Sequence, residues 1–300
     1  MKILLLGKNG QVGWELQRSL AVVGEVVALD RSSPEHCGDL TQLDHLAQTV
    51  RAVGPDVIVN AAAYTAVDKA ESEPAVAHAI NAAAPLVLAR EAQKLGSWLV
   101  HYSTDYVFDG SGSRPWLETD QPAPLSVYGH TKLEGERAIA AHCERHLILR
   151  TSWVYSARGG NFIRTMLRLA QERERLTVID DQYGAPTSAE LLADATGLAI
   201  HQLTRSVGGG RELAGIYHLA AAGQVTWHGY ASHVLAAARR LQPSIKIQAT
   251  EVAPATTESY VTAARRPRNS RLDTAKLQAT FGLTLPPWQQ GVDRVLVEIL

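Results

Sequence analysis

Short apolar runs alternate with longer amphipathic stretches through the first half of the chain. Residues 3–6, 26–29, 57–59, 98–102 and 147–149 form compact, largely apolar runs of strand length. Between them, residues 11–22, 43–53, 74–95 and 126–141 carry apolar positions at helical spacing. A strand covered on both faces reads as a near-continuous apolar run, whereas a helix lying on a sheet reads as an amphipathic one. The alternation predicts right-handed βαβ units. The expected fold is therefore α/β, a Rossmann-like doubly wound parallel sheet with helices on both faces.

After about residue 155 the rhythm loosens. Turn-rich pieces at 180–187, 206–210 and 265–270 interrupt predicted helices over 161–173, 189–203, 227–241 and 273–281, with short strands over 176–179, 216–219 and 245–249. The pattern predicts a dinucleotide-binding domain over 1–155, to which some later helices return. A smaller, mainly substrate-binding domain is expected over 156–300. No repeat and no low-complexity linker separates them, so the boundary is soft and a cleft between the two is expected.

Composition narrows the function classes. A net charge of −1 argues against wholesale binding to nucleic acid or to an anionic membrane. No apolar stretch approaches the ~18–20 residues of a membrane span, and the apolar run after Met1 is too short for a secretory signal. Only two cysteines occur, Cys37 and Cys143, which fits a reducing compartment. A cytoplasmic protein is expected.

The first run opens into Gly7-Lys8-Asn9-Gly10-Gln11-Val12-Gly13, a GxxGxxG spacing between a predicted strand and a predicted helix. Glycines there allow a tight turn and close approach of a pyrophosphate, whose charge the helix N-terminus stabilises. Asp30 ends the second run, where an acid binds an adenosine ribose hydroxyl and favours NADH; Arg31 beside it suits the 2′-phosphate of NADPH. Either cofactor is compatible. Asp39 and Leu40 suit a loop beside the adenine. Ala61, Ala62, Ala63, Tyr64 and Thr65 follow the third run, and the alanines allow the backbone to pass close to a cofactor.

Tyr128 and Lys132 stand four apart on a predicted helix and share a face. A free phenol has a pKa of ~10, and a nearby ammonium is expected to lower it. Thr104, at the end of the fourth strand, would complete a site for proton transfer to a carbonyl being reduced. Taken alone, Tyr-x-x-x-Lys reads as a surface pair; the glycine loop upstream makes it a candidate catalytic element.

These motifs resemble the extended short-chain dehydrogenase/reductase superfamily. Longer strings narrow the resemblance: Ser103-Thr104-Asp105-Tyr106-Val107-Phe108, Tyr128-Gly129-His130-Thr131-Lys132, Arg150-Thr151-Ser152-Trp153-Val154-Tyr155, Asp181-Gln182-Tyr183-Gly184-Ala185-Pro186-Thr187 and Ala264-Arg265-Arg266-Pro267-Arg268-Asn269-Ser270. Over essentially the whole chain these are similar to the dTDP-4-dehydrorhamnose reductase family. The resemblance implies hydride delivery from NADPH or NADH to the C4 ketone of dTDP-4-dehydro-L-rhamnose, the last step of dTDP-L-rhamnose synthesis. It implies that Tyr128 is the acid, that Lys132 tunes it and binds the ribose, and that Thr104 bonds the substrate oxygen. It places the sugar near Asp105 and Trp153, and the cofactor near Gly10, Gln11, Val12, Asp30, Asp39, Leu40, Ala63, Tyr64, Thr65 and Tyr102. Arg265 and Arg266 suit the diphosphate, because arginine forks match phosphate oxygens. Some relatives dimerise through magnesium, and Glu15, Glu190 and Glu298 look like the corresponding ligands of a homodimer interface.

Two other readings stay open. A nucleotide-sugar epimerase or dehydratase would share the fold, although a dehydratase's Asp-Glu pair is replaced here by Asp105-Tyr106. A regulatory subunit, like the β subunit of methionine adenosyltransferase, would bind the nucleotide without turnover.

Overall fold

The computed structural model describes residues 1–206 and 209–300. The turn expected over 206–210 therefore lies partly outside the described residues. The first half holds β1 (Lys2–Leu6), α1 (Gln11–Ala21), β2 (Glu25–Leu29), α2 (Leu43–Val53) and β3 (Val57–Asn60). There follow α3 (Val67–Ala70), α4 (Pro74–His78), α5 (Ala84–Leu95), β4 (Trp98–Thr104), α6 (Val127–His142) and β5 (His146–Thr151).

Six parallel strands form the main sheet, in the order β2, β1, β3, β4, β5 and a late strand, Gly215–His218. The order reverses between β1 and β3, the position at which doubly wound sheets bind ligands beyond their strand ends. Alternate residues of each strand feed opposite layers. Ile3, Leu5, Val59, Val100 and Leu149 pack under α1 and the helix Ala189–Arg205. Leu4, Leu6, Ile58, Leu99 and Ile148 pack under α2, α5 and α6. Residues 189–219 thus return to the first layer, and Leu277 and Phe281 join the same core.

A second core gathers Tyr155, Ile163, Val178, Tyr230, Val234, Trp288 and Val292. Its helices are Phe162–Glu172, Trp227–Leu241 and Trp288–Ile299. The last of these was not expected from the sequence. The strand expected over 245–249 is displaced: Ile245 and Ile247 pack on this core, but the strand itself is Glu251–Ala255, paired in parallel with Arg175–Ile179. The amides of Gln248 and Ala249 go instead to the carbonyl of Ala170.

The helix expected over 74–95 is broken by a π turn, Ala79–Ala83, between α4 and α5. Pro85 lacks the N–H that would bond four residues back, so a regular helix there would leave the Asn81 carbonyl without its donor. Beneath the site lies an ion pair with both side chains buried. Arg150 of β5 donates from Nε to Glu136 Oε1 at 2.9 Å and from Nη2 to Oε2 at 2.6 Å, joining β5 to α6. Removing one member strands the other charge away from water. Glu136→Gln is expected to cost about 3–5 kcal/mol, read as a lower urea midpoint at unchanged m-value.

Candidate active site

Beyond the end of β1, Gly7 turns with φ +89°, and a Cβ there would lie 2.8 Å from the Ala62 amide nitrogen. A Cβ on Gly13 would lie 2.0 Å from the Gly7 carbonyl oxygen. Turn, helix start and the end of β3 therefore meet backbone to backbone. Gly10 caps α1 without a side-chain hydrogen bond, leaving first-turn amides for a ligand. Close approach plus free donors fits a dinucleotide pyrophosphate. Val12 packs into the core, while Gln11 accepts from Ser156 Oγ at 3.2 Å and from Asn161 Nδ2 at 3.3 Å.

Around this seat the loops hold themselves in shape. Asp30 accepts from the Ser32 amide at 3.0 Å, from Ser33 Oγ at 2.9 Å and from Asn9 Nδ2. Asp39 binds the amide and hydroxyl of Thr41 at 2.9 and 2.8 Å, and Leu40 beside it is buried. In the Ala63-Tyr64-Thr65 segment, Asn81 clamps one peptide: its Oδ1 accepts from the Tyr64 amide at 2.9 Å and its Nδ2 donates to the Tyr64 carbonyl at 3.1 Å. The Tyr64 hydroxyl donates to Glu73 at 2.7 Å.

At the end of β4, Thr104 Oγ1 accepts from the Tyr106 amide and donates to Asp105 Oδ1, each at 3.1 Å. The Thr104 side chain also opposes the rise in the Tyr128 pKa. Ser126 caps α6 by accepting from the Gly129 amide at 3.2 Å, which starts the helix one residue before Tyr128. Thr104, Tyr128 and Lys132 are thereby brought together, but not in the electrostatic relation expected. Burial pushes the Tyr128 phenol up to about 12, with Thr104 opposing. The expected lowering by Lys132 does not operate here, because its amino group is turned away. Its Nζ donates to the Tyr102 carbonyl at 2.6 Å and stands 3.1 Å from His101 Nε2. Tyr102 offers the site only that carbonyl, since its hydroxyl is 2.6 Å from Thr196 Oγ1 in the core.

A cleft of about 1390 Å³ opens beside this row, lined by Asp68, Leu125, Gln182, Trp227, Arg265 and Arg266 among others. Thr104, Tyr128 and Lys132 do not line it. Trp153 sits half-buried with φ 49° and stacks on Trp227 at 3.7 Å between ring centroids. Asp105 is buried. Arg266 is tied to Asp68 at 2.6 Å, whereas Arg265 is exposed and makes no ion pair among the described residues.

Away from the cleft, Glu15, Glu190 and Glu298 share one face. Arg294 lies 2.8 Å from Glu190 and 3.6 Å from Glu298. Burial raises the Glu15 carboxyl above its ordinary range, and the Glu190 charge adds to the rise. Among the described residues of this chain, no group of three or more such side chains is disposed to hold a metal ion. Among the described residues, no helix is long and apolar enough to cross a membrane.

A family model for the RmlD substrate binding domain matches residues 1–300. The chain belongs to the RmlD substrate binding domain family. The dTDP-4-dehydrorhamnose reductase of Shigella flexneri is 56% identical over 299 residues, 100% of this chain and 98% of that protein. A dTDP-4-dehydrorhamnose reductase from Clostridium acetobutylicum, 35% identical, superposes with a TM-score of 0.87 over 99% of this chain and 98% of its own. The Bacillus anthracis dTDP-4-dehydrorhamnose reductase in complex with NADP, 32% identical, superposes with a TM-score of 0.88 over 99% of each chain. This RmlD-family chain is accordingly an oxidoreductase.

Two residues of this RmlD-family site escaped the sequence reading. Asn81 lies in an alanine-rich stretch and shows its role only through the π turn that aims it at Tyr64. His101 carried a signal, as the one histidine inside the fourth apolar run, but no spacing linked it to Lys132. A further property concerns Asp105, whose carboxyl burial raises to about 6. The folded state therefore holds this proton more tightly than the unfolded state, whose carboxyl titrates near ~4. Stability from this group is present below pH ~4 and is lost as pH rises through about 6. Asp105→Asn is expected to match wild-type Tm near pH 4 and to exceed it at pH 7, as read by calorimetry. An equal offset at both pH values would exclude burial as the cause.

Proposed function

We propose that the protein reduces the C4 ketone of dTDP-4-dehydro-L-rhamnose with NADPH or NADH, completing dTDP-L-rhamnose. The observation that carries the reading is the placement of Thr104 and Tyr128 one strand away from a backbone-lined pyrophosphate seat. Full-length identity to named reductases supports the substrate.

The bound nicotinamide supplies the hydride. Gly7, Gly10 and Gly13 admit the pyrophosphate to the first turn of α1, and Asp30 and Asp39 border the adenosine side. Thr104 bonds the substrate oxygen. Tyr128, held above the ordinary phenol range, is fully protonated at neutral pH and donates its proton to that oxygen as charge develops. Lys132 serves the nicotinamide ribose once it turns from His101. Asp105 and Trp153 bound the sugar, and Arg265, with Arg266, meets the diphosphate. The two cores support division into a cofactor-binding part, which takes in Ala189–Arg205 and Gly215–His218, and a substrate-binding part. Both small molecules are phosphorylated and membrane-impermeant, which supports a cytoplasmic location.

The test is coupled oxidation of NADPH with identification of the sugar product. Tyr128→Phe is expected to lower kcat by about 10²–10⁴-fold while NADPH still binds, measured by fluorescence titration. An unchanged kcat removes Tyr128 as the acid, and no oxidation by wild type favours the regulatory-subunit reading.

The proposal includes a homodimer with magnesium shared between the Glu15, Glu190 and Glu298 faces of two copies. Exposed Trp14, Leu198 and Val297 lie on the helices that carry those glutamates. Sedimentation is expected to give a dimer in magnesium and a shift towards monomer in EDTA. A species indifferent to both would remove the metal from the interface.

A further inference from the structure

Behind Lys132 runs a row of buried polar groups that the reaction as described does not use. Asn60 ends β3, His101 lies in β4, and both are 1% exposed. The Ala62 amide donates to Asn60 Oδ1 at 3.2 Å. Asn60 Nδ2 lies 3.1 Å from His101 Nδ1, and His101 Nε2 lies 3.1 Å from Lys132 Nζ. Lys132 Nζ also donates to the Tyr102 carbonyl at 2.6 Å.

The direction of every hydrogen bond in this row is set at one end. A backbone amide can only donate, so Asn60 turns its oxygen to Ala62 and its NH₂ to the imidazole. His101 Nδ1 must then accept, which puts the ring proton on Nε2 and points it at Lys132. An ammonium has three donors and no lone pair, and it would meet that N–H head-on. An amine accepts it and keeps an N–H for Tyr102. We propose that Asn60 and His101 are positioning residues that hold Lys132 as a neutral amine in the cofactor-free enzyme, through the Nε2–H tautomer of His101. This rests on the reading of Lys132 as a residue of the active site.

Burial alone brings the Lys132 ammonium down only to about 8, with Glu136 opposing, so the amine predominates at neutral pH only with the further opposition of the His101 Nε2–H. Burial holds the His101 imidazolium well below its ordinary range, so the ring itself is neutral. The other titratable group facing the pair is Glu136 on α6. Arg150 on β5 is spoken for by Glu136. Protonating Lys132 therefore breaks its contact with His101, which frees it to swing towards the ribose.

The test is made on the cofactor-free protein and does not depend on turnover, so failure of the reductase reading and failure of this one are distinguishable. Long-range proton–nitrogen correlation of the imidazoles, with His101 assigned by its loss in His101→Phe, is expected to show a protonated Nε2 and a bare Nδ1. A protonated Nδ1 would overturn the proposal, and this measurement needs only that wild type fold. Asn60→Asp accepts from Nδ1 and reverses the tautomer. The Lys132 midpoint, followed by labelled Cε shifts, is expected to rise at least one pH unit in Asn60→Asp. Adding His101→Phe keeps the new carboxylate but removes the ring, and is expected to cancel more than half of that rise. No rise, or an equal rise in the double variant, would show that the tautomer does not govern Lys132.

Discussion

Everything in this molecule is arranged around one close approach. Where strand order reverses, the turn after β1, the start of α1 and the end of β3 meet with no side chain between them. Gly7 and Gly13 make the contact possible, since any Cβ there would collide with backbone rather than with a movable side chain. The position of α1 follows, and with it the docking of Ala189–Arg205 and of the first core. The same approach brings Asn60 within reach of β4, so the cofactor seat and the proton-handling row share an anchor.

Behind the reacting groups the protein keeps a buried polar layer where an apolar one would be simpler. Arg150 and Glu136, Lys132, His101 and Asn60 connect β3, β4, β5 and α6 through directed bonds. Buried charge of this kind is weak evidence for stability, because the solvation lost offsets much of the attraction. Its effect is on geometry: each group has few alternatives to the partner it has, which limits the orientations open to Lys132. The half-buried Tyr128, by contrast, is governed by burial and by one hydroxyl.

Much of this was legible in the sequence, for physical reasons that also mark where legibility stops. Residues 3–6 and 57–59 are covered on both faces, so their apolar runs leave no doubt about strands. The glycine loop could be read because its backbone demands admit few other residues. Thr104, Tyr128 and Lys132 could be placed on a strand end and one helix face by spacing alone. The direction in which Lys132 points could not, since that depends on a histidine three residues upstream of Thr104 in another element. Residues 245–249 alternate like a strand, yet the pairing edge is taken by Glu251–Ala255. Trp288–Ile299 went unseen although Val292, Val295 and Leu296 recur at helical spacing, for it begins after two prolines without a polar cap. Residues 216–219 looked like part of the second domain. Only the sheet shows that Gly215–His218 lies beside β5.

The π turn between α4 and α5 carries a constraint on length rather than on composition. An α-helix turns by about 100° per residue, so removing one residue from Ala79–Ala83 would rotate everything on one side of it by that amount. Asn81 would leave Tyr64, or α5 would present its polar side to the core around Leu88. Three of its five residues are alanine, and those would tolerate exchange for other small residues. It has no such tolerance for insertion or deletion, and over evolutionary time it should drift in letters while keeping its count.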